Sequence, residues 1–175
     1  MLDSELLPAQ NLASETISVV SYIDIPISRS SWFAKVYGAD IEIIREKMFF
    51  PLSDKQQEFP KQLKIGDVIF CYLRRNNPNT DELEKLFYGV AIVIDPQIDL
   101  VWAPSLQKDV FGFKAKLICN EKVALWRVSK NLDFMALPNI GSKIATGYLP
   151  ISGSDADLLL WQLKIPNLEA LRVSS

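Results

Sequence analysis

Two apolar strands joined by a polar loop, within residues 65–96, constrain the fold of this chain more than any other stretch. Both faces of residues 68–73 are apolar, and residues 86–95 are also apolar except at the last position. A strand that is apolar on both faces is covered on both sides and lies inside a sheet. The sequence therefore predicts a central hairpin in a mostly β domain, with residues 74–85 as its exposed loop.

Elements upstream of this hairpin are predicted from composition and from stop signals. Residues 16–25 are rich in β-branched side chains and are followed by Pro26, which predicts a first strand that leads into a loop. Residues 40–50 are predicted as a helix that Asp40 caps and Pro51 ends.

Downstream of the hairpin, residues 96–110 are predicted as a second long connection. Residues 111–119 alternate between apolar and polar side chains, which predicts a half-exposed strand. Phe111 is expected to point inward with the other odd-numbered residues, and Lys114 and Lys116 are expected to point to solvent.

The last part of the chain predicts an extended passage over residues 142–151 and then a helix. Ser154, with Asp157 three residues later, has the character of a capping box at the start of that helix. Asp155 and Asp157 resemble a pair of catalytic carboxylates. In a first helical turn, however, such residues stabilise free backbone N–H groups, and this structural interpretation is favoured.

Missing residue types exclude most enzyme classes. The chain has no histidine, which removes imidazole metal ligands and Ser-His or Cys-His pairs. Its two cysteines, Cys71 and Cys119, are too far apart in sequence for a zinc motif. No glycine-rich phosphate-binding fingerprint occurs. The sequence therefore predicts a protein that is not an enzyme and has no metal or cofactor.

The length of 175 residues indicates one domain with a core of its own. No apolar run approaches the roughly 18 residues that a membrane-spanning helix needs. Residues 1–16 lack the basic start of a secretory signal and are interpreted as a flexible tail. The chain is thus expected to be soluble and cytoplasmic without a membrane partner, and its oligomeric state stays open.

Charge is distributed unevenly along the chain. The net charge is −2, which argues against a protein that coats nucleic acid through a large basic surface. Residues 108–143 carry seven basic and three acidic side chains, a balance of +4, so that the remainder carries −6. These lysines and arginines are interpreted either as separately solvated charges or as one basic face on an acidic body.

The order of parts resembles the EVE domain, a relative of YTH domains in the PUA-like superfold. The resemblance is carried by the phrases GDVIFCY, FYGVAIVI, FGFKAKLI and LPISGSDADLLLWQL, in that order. It implies an α+β fold, a small, mixed and partly open β-barrel with flanking helices, over residues 17–165. Residues 166–175 would then be a C-terminal tail. It also implies binding of RNA or DNA, in several relatives through a pocket that holds a flipped, modified base.

A flipped base needs aromatic faces, hydrogen-bonding groups for its edge and cations for its phosphates. In the family the pocket lies near the end of the first strand and in the loop that follows. With residues 16–25 as that strand, the resemblance implies a pocket of Arg29, Ser30, Ser31 and Trp32, walls from Tyr72 and Trp102, and phosphate contacts from Lys114 and Lys116.

Each aromatic residue also has a structural interpretation. Trp32 is as well explained as a core anchor, and Tyr72 is better explained as core because its strand is apolar on both faces. Trp102, in a predicted loop, would either cap the core or bind a ligand. Trp126 and Trp161 are assigned to packing.

Three kinds of function remain, in order of preference. The first is a nucleic-acid-binding module, which would read a modified base if the pocket is kept. The second is a protein-interaction or structural domain that has the fold without the pocket. The third is an enzyme that uses Lys, Ser, Asp or Tyr, for which the spacing of residues offers no support.

Overall fold

The protein has a mixed α+β fold, and the computed structural model describes residues 30–76, 79 and 82–165. In chain order the strands and helices of this part are β1 (Ser31–Val36), α1 (Gly38–Lys47), β2 (Phe49–Pro51), β3 (Val68–Asn76), β4 (Leu83–Ala103), β5 (Lys108–Ile118), β6 (Val123–Ala124), α2 (Leu125–Val128), α3 (Ile140–Ala145), β7 (Tyr148–Ile151) and α4 (Gly153–Gln162). The predicted strand over residues 16–25 and the two predicted tails lie outside the described residues.

The seven strands form one open sheet. Its order is β2-β5-β4-β3-β1-β7, and β6 pairs with β4 beside this path. β1 runs parallel to β3, whereas the other pairs are antiparallel. The predicted hairpin is confirmed, since β3 and β4 pair antiparallel at the centre of the sheet and are buried along residues 68–73 and 86–93. The predicted loop over residues 74–85 is too long, because β3 continues to Asn76 and β4 begins at Leu83.

Two apolar clusters cover the two faces of this sheet. Neighbouring residues of β1 point to opposite clusters, Trp32 to the one that holds Phe50 and Phe113, and Phe33 to the one that holds Phe134. The helix α1 contributes to the first cluster, whereas α4 contributes to the second. Each face of β1 and β3 is therefore dry, as a strand apolar on both faces requires.

Strand β4 is much longer than the sequence predicts. It continues through Pro96 to Ala103, so the prediction of a connection over residues 96–110 is wrong. Pro96 is accommodated because the register with β5 is irregular between Asp95 and Asp99, and because β3 pairs with β4 only as far as Ile92. Proline is tolerated in a strand at such bulges and edges, where its missing N–H breaks no ladder.

The helix α1 begins and ends earlier than predicted. Tyr37 is its N-cap, and Asp40 lies inside the first turn, where its carboxylate accepts a hydrogen bond from the Tyr37 N–H at 3.0 Å. Met48, in the left-handed conformation at φ 51°, ends the helix. The two phenylalanines that follow it then enter β2 instead of continuing the helix.

The C-terminal part also differs from the prediction in two places. The passage over residues 142–151 is not extended throughout, because α3 occupies its first part and only Tyr148–Ile151 form a strand. The last helix is capped by Ser152, whose Oγ accepts a hydrogen bond from the Asp155 N–H at 3.2 Å, and not by Ser154. In the described part of the chain, no helix is both long and apolar enough to cross a membrane.

Candidate functional site

Among the described residues, the side chains proposed from the family resemblance do not meet in one cavity. Trp32 is buried in the first cluster, where its Nε1 donates a hydrogen bond to Asp67 Oδ2 at 3.1 Å and its ring lies 5.4 Å from that of Phe59. Tyr72 is buried in the second cluster, with its ring 5.0 Å from that of Phe33. Burial raises the pKa of the Tyr72 hydroxyl. The two rings therefore lie on opposite faces of the sheet.

Two residues of the predicted pocket loop, Ser31 and Trp32, instead form the start of a strand. Ser31 and Trp32 belong to β1, and Ser31 pairs with Val68 on one side and Ile151 on the other. The carbonyl of Ser30 accepts a hydrogen bond from the Val68 N–H at 3.2 Å. Arg29 lies outside the described residues. The prediction of a loop at Ser31 and Trp32 is wrong because β1 is set by its pairing with two distant strands, which no local pattern reports.

Trp102 lies on a strand instead of in a loop, and its side chain is 51% exposed. It stands two residues from Leu100, which is paired with Phe111 across the β4–β5 hairpin. Phe111, predicted to point inward, is 53% exposed because the hairpin extends beyond the end of β3 and its cluster. We call Leu100, Trp102 and Phe111 the hairpin surface.

The predicted cations lie further along β5. Lys114 is exposed, as expected, and Lys116 is half-buried, so its solvent-facing prediction holds only in part. Lys114 pairs with Asp95 of β4 on one side and Phe49 of β2 on the other. Trp32 and Tyr72, by contrast, are enclosed in the core.

Two tryptophans that were assigned to packing are instead on the surface. Trp126 is 74% exposed and Trp161 is 73% exposed. Trp126 is the second residue of the short helix α2, and the guanidinium of Arg127 lies 5.3 Å from its ring centroid. Trp161 occupies the last turn of α4, on the side away from the buried Leu159. The assignment to packing is wrong in both cases, because each tryptophan lies on the exposed side of its helix.

A groove at the end of β1 brings together the kinds of group that a base needs. We call it the β1-end groove; its volume is about 280 Å³. It lies between the start of α1, the segment that follows β2 and the tip of the β4–β5 hairpin. The lining residues are Tyr37, Asp40, Pro51, Leu52, Ser53, Asp54, Leu106, Lys108 and Val110.

Charge and aromatic surface are combined in this groove. The Tyr37 side chain is half exposed, and the ammonium of Lys35 lies 5.5 Å from its ring centroid. Burial raises the pKa of the Asp40 carboxyl, although the hydrogen bond from the Tyr37 N–H and the charge of Lys108 oppose that rise. The groove thus offers an aromatic face and a carboxyl from the start of α1 and a cation from β5. In the sequence, this groove is indicated by an aromatic residue, Tyr37, that directly precedes a helix beginning with Gly-Ala-Asp.

A second groove lies beside the loop end of β4, with a volume of about 320 Å³. It is lined by Trp126, by apolar and small side chains, and by equal numbers of acidic and basic residues; the charged ones are Glu82, Glu84, Lys85 and Lys122. The exposed tryptophan offers an aromatic face, but the charges of this groove balance. The groove therefore has little electrostatic attraction for a polyanion. Among the described residues no cluster of three or more His, Cys, Asp or Glu side chains is placed to hold a metal ion.

Comparison with known proteins adds little to this geometry. No family model matches the chain, and no curated protein matches it. Among solved structures, the NMR structure of Rpa0253 from Rhodopseudomonas palustris, a structural genomics target, is similar to it with a TM-score of 0.49 and 16% sequence identity. The match covers 79% of this chain and 95% of that protein.

Proposed function

We propose that this protein is a nucleic-acid-binding module of the EVE type, with a PUA-like barrel, and that an unstacked base enters the β1-end groove. The resemblance implies a pocket at the end of the first strand. The first strand of the described chain is β1, and Tyr37 is the residue directly after it. This position supports the β1-end groove as the pocket in place of residues 29–32.

The half-exposed ring of Tyr37 is the observation that carries this proposal. A base can stack on an aromatic side chain whatever its sequence, and such stacking contributes about 1–3 kcal/mol per base. Lys35 and Lys108 lie near the ring and in the groove lining, where they would attract the phosphates on either side of the base. A groove without aromatic surface would offer only the electrostatic part of this binding.

The polar groups of the groove suit the edge of a base. The Asp40 carboxyl accepts hydrogen bonds when it is ionised, and a carboxylate is a suitable partner for the amino group of cytosine. Ser53 supplies a hydroxyl, whose Oγ lies 3.1 Å from Gln56 Oε1 and donates to it. The groove therefore favours a base with an exocyclic amino group over one that presents only carbonyl oxygens.

The experiment is a binding titration by fluorescence anisotropy. Labelled single-stranded and double-stranded RNA and DNA, with and without base modifications, are titrated across a series of salt concentrations. We expect affinity to fall as salt rises, and Tyr37→Ala to weaken binding by roughly 5- to 150-fold, which corresponds to the loss of one stacked base.

Trp161→Ala is the matched control, because it removes an exposed aromatic side chain from α4, which does not line the groove. It should leave the affinity unchanged. Absence of binding to every oligonucleotide at low salt would overturn the nucleic-acid proposal and leave a protein-interaction domain as the better interpretation. Binding that Trp102→Ala abolishes and Tyr37→Ala does not would overturn the choice of groove alone.

A further inference from the structure

We propose that the second groove, between the start of β4 and α2, binds the C-terminus of a partner protein. The terminal carboxylate contacts Lys122, and an apolar last side chain packs against Trp126. We call this cavity of about 320 Å³ the α2 groove. The proposal is independent of the proposed function, because the α2 groove shares no lining residue with the β1-end groove.

The course of the chain around β6 forms the α2 groove. Ala124, the last residue of β6, pairs with Leu86 of β4 and is also the N-cap of α2. The chain changes there from an extended to a helical conformation, while the first residues of β4 continue along β3. The space between the two segments is lined by residues 82–86 on one side and by Lys122, Ala124 and Trp126 on the other.

Apolar side chains occupy part of the α2 groove. Leu86 is buried, whereas Leu83 and Trp126 are exposed. The guanidinium of Arg127 lies 5.3 Å from the ring centroid of Trp126 and restricts the ring, yet most of the side chain stays accessible to a ligand. Tryptophan is among the residues that most often dominate the binding energy of protein interfaces. This part of the groove therefore suits an apolar side chain of a partner.

Lys122 supplies the positive charge for a carboxylate. Its ammonium lies 4.7 Å from the ring centroid of Tyr88, a contact that positions the charge without neutralising it. In the part of the chain that the structure describes, no carboxylate lies within ion-pair distance of Lys122. Glu84, on the β4 side of the groove, is bonded to Arg75 at 3.0 Å. One carboxylate beside Lys122 is thus attracted, whereas a row of phosphates would also meet Glu82 and Glu84.

The size of the α2 groove favours a chain end over a longer segment. Ligand sites usually have volumes of roughly 300–1,000 Å³, so a groove of about 320 Å³ has room for one or two residues of a peptide. In the last residue of a chain, the carboxylate and the side chain leave the same Cα atom and reach a cation and an apolar surface in one small groove. An internal acidic residue needs a neighbour to supply the apolar group. Capture of a terminal carboxylate is a recurring mode of peptide recognition.

A peptide titration followed by NMR of the isotopically labelled full chain tests the proposal. The probes are two N-acetylated pentapeptides, Gly-Ser-Gly-Ser-Leu and Gly-Ser-Gly-Ser-Phe, each with a free or an amidated C-terminus, and an amidated pentapeptide with an internal Asp-Leu pair. We expect the peptides with a free carboxylate to bind about five- to tenfold more tightly than the others, since the amide loses the ion pair. The signals that shift should be those of residues 83–86 and 122–126.

Variants separate the two contacts. Lys122→Gln should bind free and amidated peptides equally, because the ammonium that distinguishes them is gone. Trp126→Ala should weaken binding of the free-carboxylate peptides severalfold, and Trp126→Phe, which keeps an aromatic ring, should restore much of it. Lys130→Gln and Trp161→Ala are the matched controls. Each removes an exposed side chain of the same type that does not line the groove, so affinity and preference should stay unchanged.

Four results would overturn the proposal. The first is the absence of shifts around the α2 groove with every peptide at millimolar concentration. The second is equal binding of the amidated or internal Asp-Leu peptides to the parent protein, because no chain end would then be recognised. The third is a preference for the free carboxylate that Lys122→Gln leaves intact. The fourth is displacement of the peptide by single-stranded RNA that shifts the same signals, since the occupant would then be a nucleic acid.

Discussion

At the scale of single residues, Asp155 shows how a surface pattern can conceal a buried role. It lies in the first turn of α4, where an acidic residue usually faces solvent, yet the residue is buried. Its two oxygens accept hydrogen bonds from the N–H groups of Asp133 at 2.7 Å and Phe134 at 3.0 Å. This carboxylate therefore joins α4 to the segment before α3, a role that the spacing of residues in the sequence does not reveal.

Replacement of Asp155 should destabilise the protein strongly. In Asp155→Ala the two N–H groups lose their acceptor inside the protein, which should lower the free energy of unfolding by about 3 kcal/mol. For a chain of this size that corresponds to a fall in Tm of roughly 6–12 °C. Asp155→Asn keeps one acceptor oxygen and should lose less, and the exposed Asp157→Ala should change stability by less than about 0.5 kcal/mol. Equal effects of Asp155→Ala and Asp157→Ala would refute this role.

The two cysteines should differ in reactivity. Burial raises the pKa of the Cys71 thiol to about 12, so that at pH 8 it is protonated as well as enclosed. Cys119 is exposed, although partial burial raises its pKa too and its thiol lies 3.0 Å from the carbonyl of Tyr88. A thiol reagent at pH 8 should label one cysteine in the native protein and two in guanidinium chloride. Cys119→Ser should abolish native labelling, and rapid labelling of both thiols would contradict this assignment.

At the scale of elements, the long strand β4 shows which parts of the fold the sequence can predict. Its first half is predictable because both faces are apolar, whereas Pro96, followed by Gln97 and Asp99, wrongly indicates a loop in its second half. What keeps the second half extended is pairing with β5, a contact between segments. For the same reason the start of β1 was missed, and with it the position of the groove.

Glycine is required at position 112 by the close approach of β2. A Cβ on Gly112 would collide with the carbonyl oxygen of Phe50 and the ring of Phe49. Gly112→Ala should therefore displace β2 from β5 and lower the free energy of unfolding by about 2–3 kcal/mol. Gly38→Ala is the control, because nothing lies within 4 Å of the added methyl group and alanine favours helix α1. Denaturant unfolding should show Gly38→Ala equal to or more stable than the parent; a comparable loss in both would refute the steric argument.

At the scale of the whole molecule, the structure shows where two lysines of the basic stretch lie. Lys108 lines the β1-end groove at the start of β5, and Lys114 lies on the same face of that strand six residues further on. Six residues of strand span about 20 Å. Under the proposed function, the two lysines would therefore meet phosphates that lie several nucleotides apart on one bound strand.

This spacing predicts that the effect of Lys114 depends on the length of the oligonucleotide. Lys114→Gln should weaken binding of a ten-nucleotide strand severalfold and reduce its salt dependence, since one phosphate contact is lost. A trinucleotide held in the groove should bind this variant and the parent equally. Lys130→Gln, which removes an exposed lysine from a different part of the chain, is the control. Equal effects of Lys114→Gln on both lengths would show that the strand does not follow β5.

The position of β1 between β3 and β7 affects how the protein folds during its synthesis. β1 lies between β3 and β7, so one of the first described strands is completed by the last. A nascent chain that ends before Tyr148 holds β1 by one side only, and α4, which covers the second cluster, is also still missing. Contacts of such long sequence separation form late and slowly. Nearly the whole described domain must therefore leave the ribosome before this edge of the sheet can form.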